Sequence, residues 1–221
     1  MRGKHNPSRT RRNSALGVES LEGRALLSGP SLIYGPPPMA PMANAQGARH
    51  ATGIVMKSPH FYQFYGGPKL AELNAVKASA ELSPNGNFTF TGMNAGAIKK
   101  GPAAFVWGID RSGSLGAGPF MGRPNIKFDA VVVVSVNSSR AVTASVVDLT
   151  NNTSTELAAG AASIHGKNVK VVVPGSLLPS AGLAPKQFRF NYWPENPGVT
   201  TSSPVASFAP ERTTAQVGTM K

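Results

Sequence analysis

From about residue 52 onward, apolar and polar residues alternate with a period near two, the pattern of strands that bury one face. Residues 75–82 alternate, Pro84-Asn85-Gly86 follows, and residues 87–91 alternate again. Asn-Gly between two such runs is the chemistry of a tight hairpin turn. Residues 103–111 place Phe105, Trp107 and Ile109 on one face. Residues 129–136 are β-branched throughout 131–134, which predicts a strand buried on both sides or central in a sandwich. Residues 141–149 alternate up to the turn residues Asn151-Asn152, and 154–157 continue beyond them. A second hairpin is expected from 163–165 and 169–173 around Gly166-Lys167, ended by Pro174 and followed by a single helical turn within 175–181. Residues 187–193 set Phe188, Phe190 and Tyr192 against Arg189, Asn191 and Trp193, so that one of Tyr192 and Trp193 faces the core and the other solvent. A short closing strand at 205–208 precedes a loose tail. About eight to ten short strands separated by turn residues predict an all-β, antiparallel β-sandwich.

The first fifty residues follow other rules. Residues 1–13 are polar and basic, with a disordered character, and 14–28 suit a short helix through Val18, Leu21 and Ala25. Glu19, Glu22 and Arg24 interrupt any continuous apolar stretch, which excludes an ordinary secretory signal peptide. Arg11-Arg12 lacks the apolar run that a twin-arginine signal requires. Residues 29–50 carry Pro30, Pro36, Pro37, Pro38 and Pro41, a polyproline-type spacer able to reach about 60–70 Å at roughly 3.1 Å per residue. The expected organisation is a targeting arm (1–28), a proline-rich linker (29–50), a β-sandwich domain (51–210) and a flexible tail (211–221).

The spaced residues Glu19-x-Leu21-Glu22-x-Arg24-x-Leu26-Leu27-Ser28, behind Arg9, Arg11 and Arg12, resemble the LEPR-XLL-type N-terminal motif of planctomycete surface and exported proteins. Gly23 stands where that family usually has Pro or Asp. The resemblance covers about 20 residues and implies export or association with the cell envelope; it implies no activity. A second resemblance joins Val171-x-Val173-Pro174-x-Ser176-Leu177-Leu178-Pro179-Ser180, Phe188-x-x-Asn191-x-Trp193-Pro194 and Phe208-Ala209-Pro210. This pattern is similar to a recurrent module of planctomycete exported proteins, and it transfers no chemistry.

Composition narrows the picture. The chain has 221 residues, 41% hydrophobic and 14% charged, with 24 Gly and 19 Pro, a turn-rich profile that suits strands better than helices. No apolar run approaches the ~18 residues of a membrane span. Cysteine is absent, which excludes disulfides, thiolate metal sites and Cys nucleophiles. The net charge of +12 invites a nucleic-acid reading, but the basic residues beyond the arm are dispersed. No basic helix, zinc finger or RNA-binding aromatic motif accompanies them, so specific nucleic-acid binding is not expected, and envelope polymers or glycans are the fitting partners.

Catalytic signatures are thin. The four histidines are His5, His50, His60 and His165; His165 beside Gly166 belongs to a hairpin end. No Gly-x-Ser-x-Gly elbow occurs. Gly113-Ser-Leu-Gly116-Ala-Gly118 lacks the Lys-Ser/Thr ending of a phosphate loop. Asp110 and Asp129 flank the glycine-rich loop 112–125 and are the candidate pair for a small hydrolase or a calcium site. Their structural alternative is to accept backbone hydrogen bonds at strand ends or to pair with Arg111 and Arg123. The aromatic group Phe61, Tyr62, Phe64 and Tyr65 is the stronger candidate, because exposed rings stack on sugar faces. Tyr62, Tyr65 and Trp193 are the expected ligand-binding residues. The expectation is a non-enzymatic module with a structural or interaction role, no cofactor and no metal; a carbohydrate-binding module and a hydrolase using Asp110 and Asp129 are the alternatives.

Overall fold

The computed structural model describes residues 69–99, 101–113, 126–198, 205, 207–210 and 214–219, and the backbone of 54–56. The targeting arm, the linker, and Tyr62 and Tyr65 lie outside the described residues, as do Arg123 and most of the glycine-rich loop. Among the described residues, twelve strands form two sheets. They are β1 (Ile54–Met56), β2 (Ala75–Leu82), β3 (Phe88–Asn94), β4 (Ala103–Asp110), β5 (Ala130–Val136) and β6 (Val142–Asp148), then β7 (Thr153–Glu156), β8 (Ala162–His165), β9 (Asn168–Val173), β10 (Arg189–Glu195), β11 (Ala215–Gln216) and β12 (Gly218–Thr219). The first sheet runs β1-β2-β3-β9-β8, with β12 also on β2; the second runs β11-β10-β4-β5-β6-β7. Every pairing is antiparallel except β12 with β2. The architecture is an all-β sandwich, as the alternation predicts.

Each hairpin forms where turn chemistry permits it. Gly86 takes a left-handed φ of 81° in the β2–β3 turn and Gly166 one of 59° in the β8–β9 turn, conformations that cost glycine little. The expected helical turn is a 3-10 turn at Gly175–Leu177. Between the sheets, Phe88 stacks on Phe188 at 5.6 Å, and Trp107 lies against Phe90 at 6.1 Å and Tyr192 at 4.8 Å. Tyr192 reaches from the second sheet onto Gly92 of the first, where any Cβ would overlap its ring. Its hydroxyl donates to Asn94 Oδ1 at 3.0 Å, which satisfies a buried phenol.

One expectation is met and two are corrected. The second sheet is covered on both faces, as the β-branched run at 131–134 predicts for β5: Ala104, Val106, Val131, Val147 and Trp193 on its outer face pack under Ile126, Phe128, Val205 and Phe208. Gly108 makes that possible, because the Phe128 ring occupies the place a Cβ would take. Tyr192 and Trp193 point to opposite faces as the alternation requires, yet both are buried, at 0% and 1% exposure. The loose tail is, over 215–219, structured: β11 pairs with β10 and β12 with β2, and Val217 between them is buried in the core.

Those tail strands close one side of the sandwich. The expected closing strand at 205–208 is reduced to isolated bridges, Glu195 with Val205 and Tyr192 with Ala209. Ser207 then crosses to the other sheet, where its Oγ accepts from Ala75 N at 2.6 Å and donates to Leu73 O at 3.0 Å. The C-terminal segment therefore ties β2 to β10, elements more than a hundred residues apart in the chain.

Candidate functional site

Asp110, Asp129 and Asp148 sit at the same end of β4, β5 and β6. The register that opposes Ile109 to Ala130 and Ala130 to Asp148 places them there. Arg111, at the exit of β4, folds back over the strand ends. Its backbone N–H donates to Asp129 Oδ2 at 2.8 Å and its Nε to Asp129 Oδ1 at 2.5 Å. Its Nη2 reaches Asp148 Oδ2 at 3.0 Å and Asp129 O at 3.3 Å, and its Nη1 reaches Pro179 O at 3.4 Å. A guanidinium that is 2% exposed is thus held between two carboxylates with its donors engaged. Burial alone would lower the Arg111 pKa, but the hydrogen bond and charge of Asp129, helped by Asp148, raise it.

Asp148 is held from both sides. Partial burial pushes its carboxyl up, but hydrogen bonds from the Thr150 hydroxyl, Arg111 and the Asn151 N–H outweigh that and bring it down to about 2. Asp110 does different work. Its Oδ1 accepts from Gly113 N at 2.8 Å and from Ser112 N at 3.1 Å, forming an Asx turn that sends the chain out of β4. Gly113 adopts φ 76° at that corner. The candidate acid pair is therefore divided: Asp129 clamps a cation and Asp110 shapes a turn. Both carboxylates are buried, at 8% and 1% exposure.

Trp193, expected as a stacking ring for a ligand, already stacks on two rings of the protein. Phe128 lies at 5.5 Å and Phe208 at 5.3 Å, both nearly parallel to it. Its Nε1 donates to Glu195 Oε2 at 3.3 Å. Glu195 is 6% exposed, and burial pushes its carboxyl up from the ordinary 4.5 to about 7, opposed only in part by the Trp193 hydrogen bond. This perturbed acid was not singled out in the sequence. The available signal was its spacing: positions i and i+2 of a strand share a face, so Glu195 lies on the buried side with Trp193. His165 ends β8 and is exposed opposite Asn168, a hairpin-end residue as expected.

Among the described residues no group of three or more His, Asp or Glu side chains is arranged to hold a metal ion, and no helix is long and apolar enough to cross a membrane. No protein-family model matches the chain, and no curated protein matches it significantly.

Proposed function

We propose that this chain is a non-catalytic β-sandwich module with a structural or interaction role at the cell envelope, addressed there by the motif of Glu19, Leu21, Glu22, Arg24, Leu26, Leu27 and Ser28. The observation that carries the non-catalytic part is the fate of the acidic residues at the ends of β4–β6. Asp129 and Asp148 neutralise Arg111, and Asp110 accepts the N–H groups of its own turn. A hydrolytic pair needs one carboxyl able to give up a proton and another free to meet water or substrate. These carboxylates are engaged with the protein itself. The burial of Trp193 also weighs against a ligand platform built from Tyr62, Tyr65 and Trp193 together.

Two experiments test the reading. Fractionation of the native host expressing the full chain or a variant without residues 1–28 addresses location; the full chain is expected in envelope or extracellular fractions and the truncated one elsewhere. Identical distributions refute the address. A panel of chromogenic glycosides and esters addresses catalysis: no turnover is expected, and turnover that disappears in Asp110→Asn refutes the non-catalytic assignment.

A further inference from the structure

The outer face of the first sheet has a charge pattern that the fold does not use. Inward positions of β2, β3 and β9 are apolar (Ala78, Phe90 and Val171 among them), so the intervening residues point away from the core. Two rows of outward residues follow from the register. One runs Lys77, Met93, Asn168, His165; the next runs Ser79, Thr91, Lys170, Ser163. Lys77 and Lys170 are exposed and stand two strands apart, about 10 Å across the sheet.

The same end of the sheet gathers more positive charge. Lys167 occupies the β8–β9 turn, and its carbonyl accepts from Asn94 N at 2.9 Å. The loop after β3 lies against that turn through Ile98 N donating to Gly166 O at 2.8 Å, which brings Lys99 alongside. Lys69 and Glu72 lie at the neighbouring 3-10 turn (Ala71–Leu73), and Glu81 lies a row beyond Ser79. Among the described residues, none of Lys77, Lys99, Lys167 and Lys170 forms an ion pair. Four exposed cations therefore lie at this end of the sheet without an ion-pair partner among the described residues.

We infer that this face docks an acidic polysaccharide, its carboxylates meeting Lys77, Lys170, Lys167 and Lys99 and its hydroxyls meeting Ser163 and the half-buried Ser79 and Thr91, whose hydroxyls also hydrogen-bond each other at 2.5 Å. This inference rests on the interaction role proposed above and names its partner. Charge complementarity selects a polyanion and excludes the chain's own arginine-rich arm as the occupant. Side-chain chemistry selects among polyanions. Single-stranded nucleic acid binds through aromatic platforms, and the rings of β3 point inward into the core. Duplex readers insert a helix or ribbon into a groove, and this is a broad sheet face. A row of hydroxyls between lysines instead suits a chain of carboxylated sugars, which presents alternating anionic and hydrogen-bonding groups.

The test uses the full chain and immobilised polygalacturonate, with dextran as the neutral control and an oligothymidylate of comparable charge as the nucleic-acid arm. Salt-sensitive binding to polygalacturonate and none to dextran is expected. K77Q/K170Q is expected to weaken binding about tenfold, the scale of two exposed ion pairs, with an unchanged circular dichroism spectrum. Replacing Arg9, Arg11 and Arg12 with Gln is expected to leave most of the affinity. Undiminished binding by K77Q/K170Q, loss of binding in the arm variant, equal binding to dextran, or tighter binding to the oligothymidylate would each overturn the inference. Failure of the envelope reading would show instead in host fractionation, which does not depend on these lysines.

Discussion

Replacing Glu195 with Gln is expected to remove a pH dependence from the stability of the fold. In the unfolded chain this carboxyl titrates near its ordinary 4.5; in the native protein, burial beside Trp193 pushes it up to about 7. Below pH 4.5 both states hold the proton and the group costs nothing. Between those values the native state binds more protons than the unfolded one, so stability falls as pH rises. Above about 7 both states are ionised and the loss is complete. A displacement from 4.5 to about 7 at 1.36 kcal/mol per pH unit amounts to about 3 kcal/mol. The amide of Gln keeps an acceptor for Trp193 Nε1 and cannot ionise. Urea unfolding of both proteins from pH 4.5 to 8.5 is therefore expected to give curves that coincide at the acid end and diverge by about 3 kcal/mol at the alkaline end, the variant being more stable. In thermal melts that gap corresponds to roughly 6–12 °C for a chain of this size. Effects of the overall positive charge are common to both proteins and cancel in the difference. Asp148 does not interfere: its pKa is depressed, so its contribution is present above its ordinary value of 3.8 and lost only as pH falls toward about 2. Parallel curves across the whole range would refute the burial argument for Glu195.

Other perturbations probe separate parts of the structure. Arg111→Met leaves the Asp129 and Asp148 carboxylates facing each other without their cation, and a loss of about 3–5 kcal/mol is expected in denaturant unfolding; a loss below 1 kcal/mol would show that the clamp is dispensable. Gly92→Ala places a methyl in the Tyr192 ring and is expected to cost about 1–3 kcal/mol, with partial recovery in Gly92→Ala/Tyr192→Leu; strictly additive losses would contradict direct contact. Deleting residues 215–221 removes both tail strands and the buried Val217, and a lower unfolding midpoint corresponding to at least ~1.5–3 kcal/mol is expected. An unchanged midpoint would mean the tail is not part of the cooperative unit.

The strands were legible because their cause is local. Alternation along 75–82 and 103–111, the Asn85-Gly86 turn and the β-branched run at 131–134 each act through near neighbours, and β2 to β5 form where these patterns place them. The tail illustrates the limit. Thr214 to Lys221 has little apolar character, and nothing in it predicts order. Residues 215–219 pair because β2 beyond its contact with β1, and β10 on the side away from β4, leave backbone groups that Gly218–Thr219 and Ala215–Gln216 complete.

The candidate sites divide in the same way. That Asp110 and Asp129 flank a loop is visible in the chain, as is the chance that they pair with Arg111. That Asp148 completes the clamp is not visible, because it joins through a strand register 37 residues away. Alternation correctly set Trp193 opposite Tyr192. It did not reveal that Phe128 and Phe208 cover the outer face, since period-two patterning reports which side a residue points to and says nothing about what later lands on that side. By itself, then, the sequence determined the strand content, the turns and the sandwich class, because these follow from short-range sterics and the pleat. The tertiary structure alone decided which acids are neutralised, which rings are covered and where lysines from β2, β9 and two loops lie. Each of those outcomes depends on charges and surfaces brought together from distant parts of the chain.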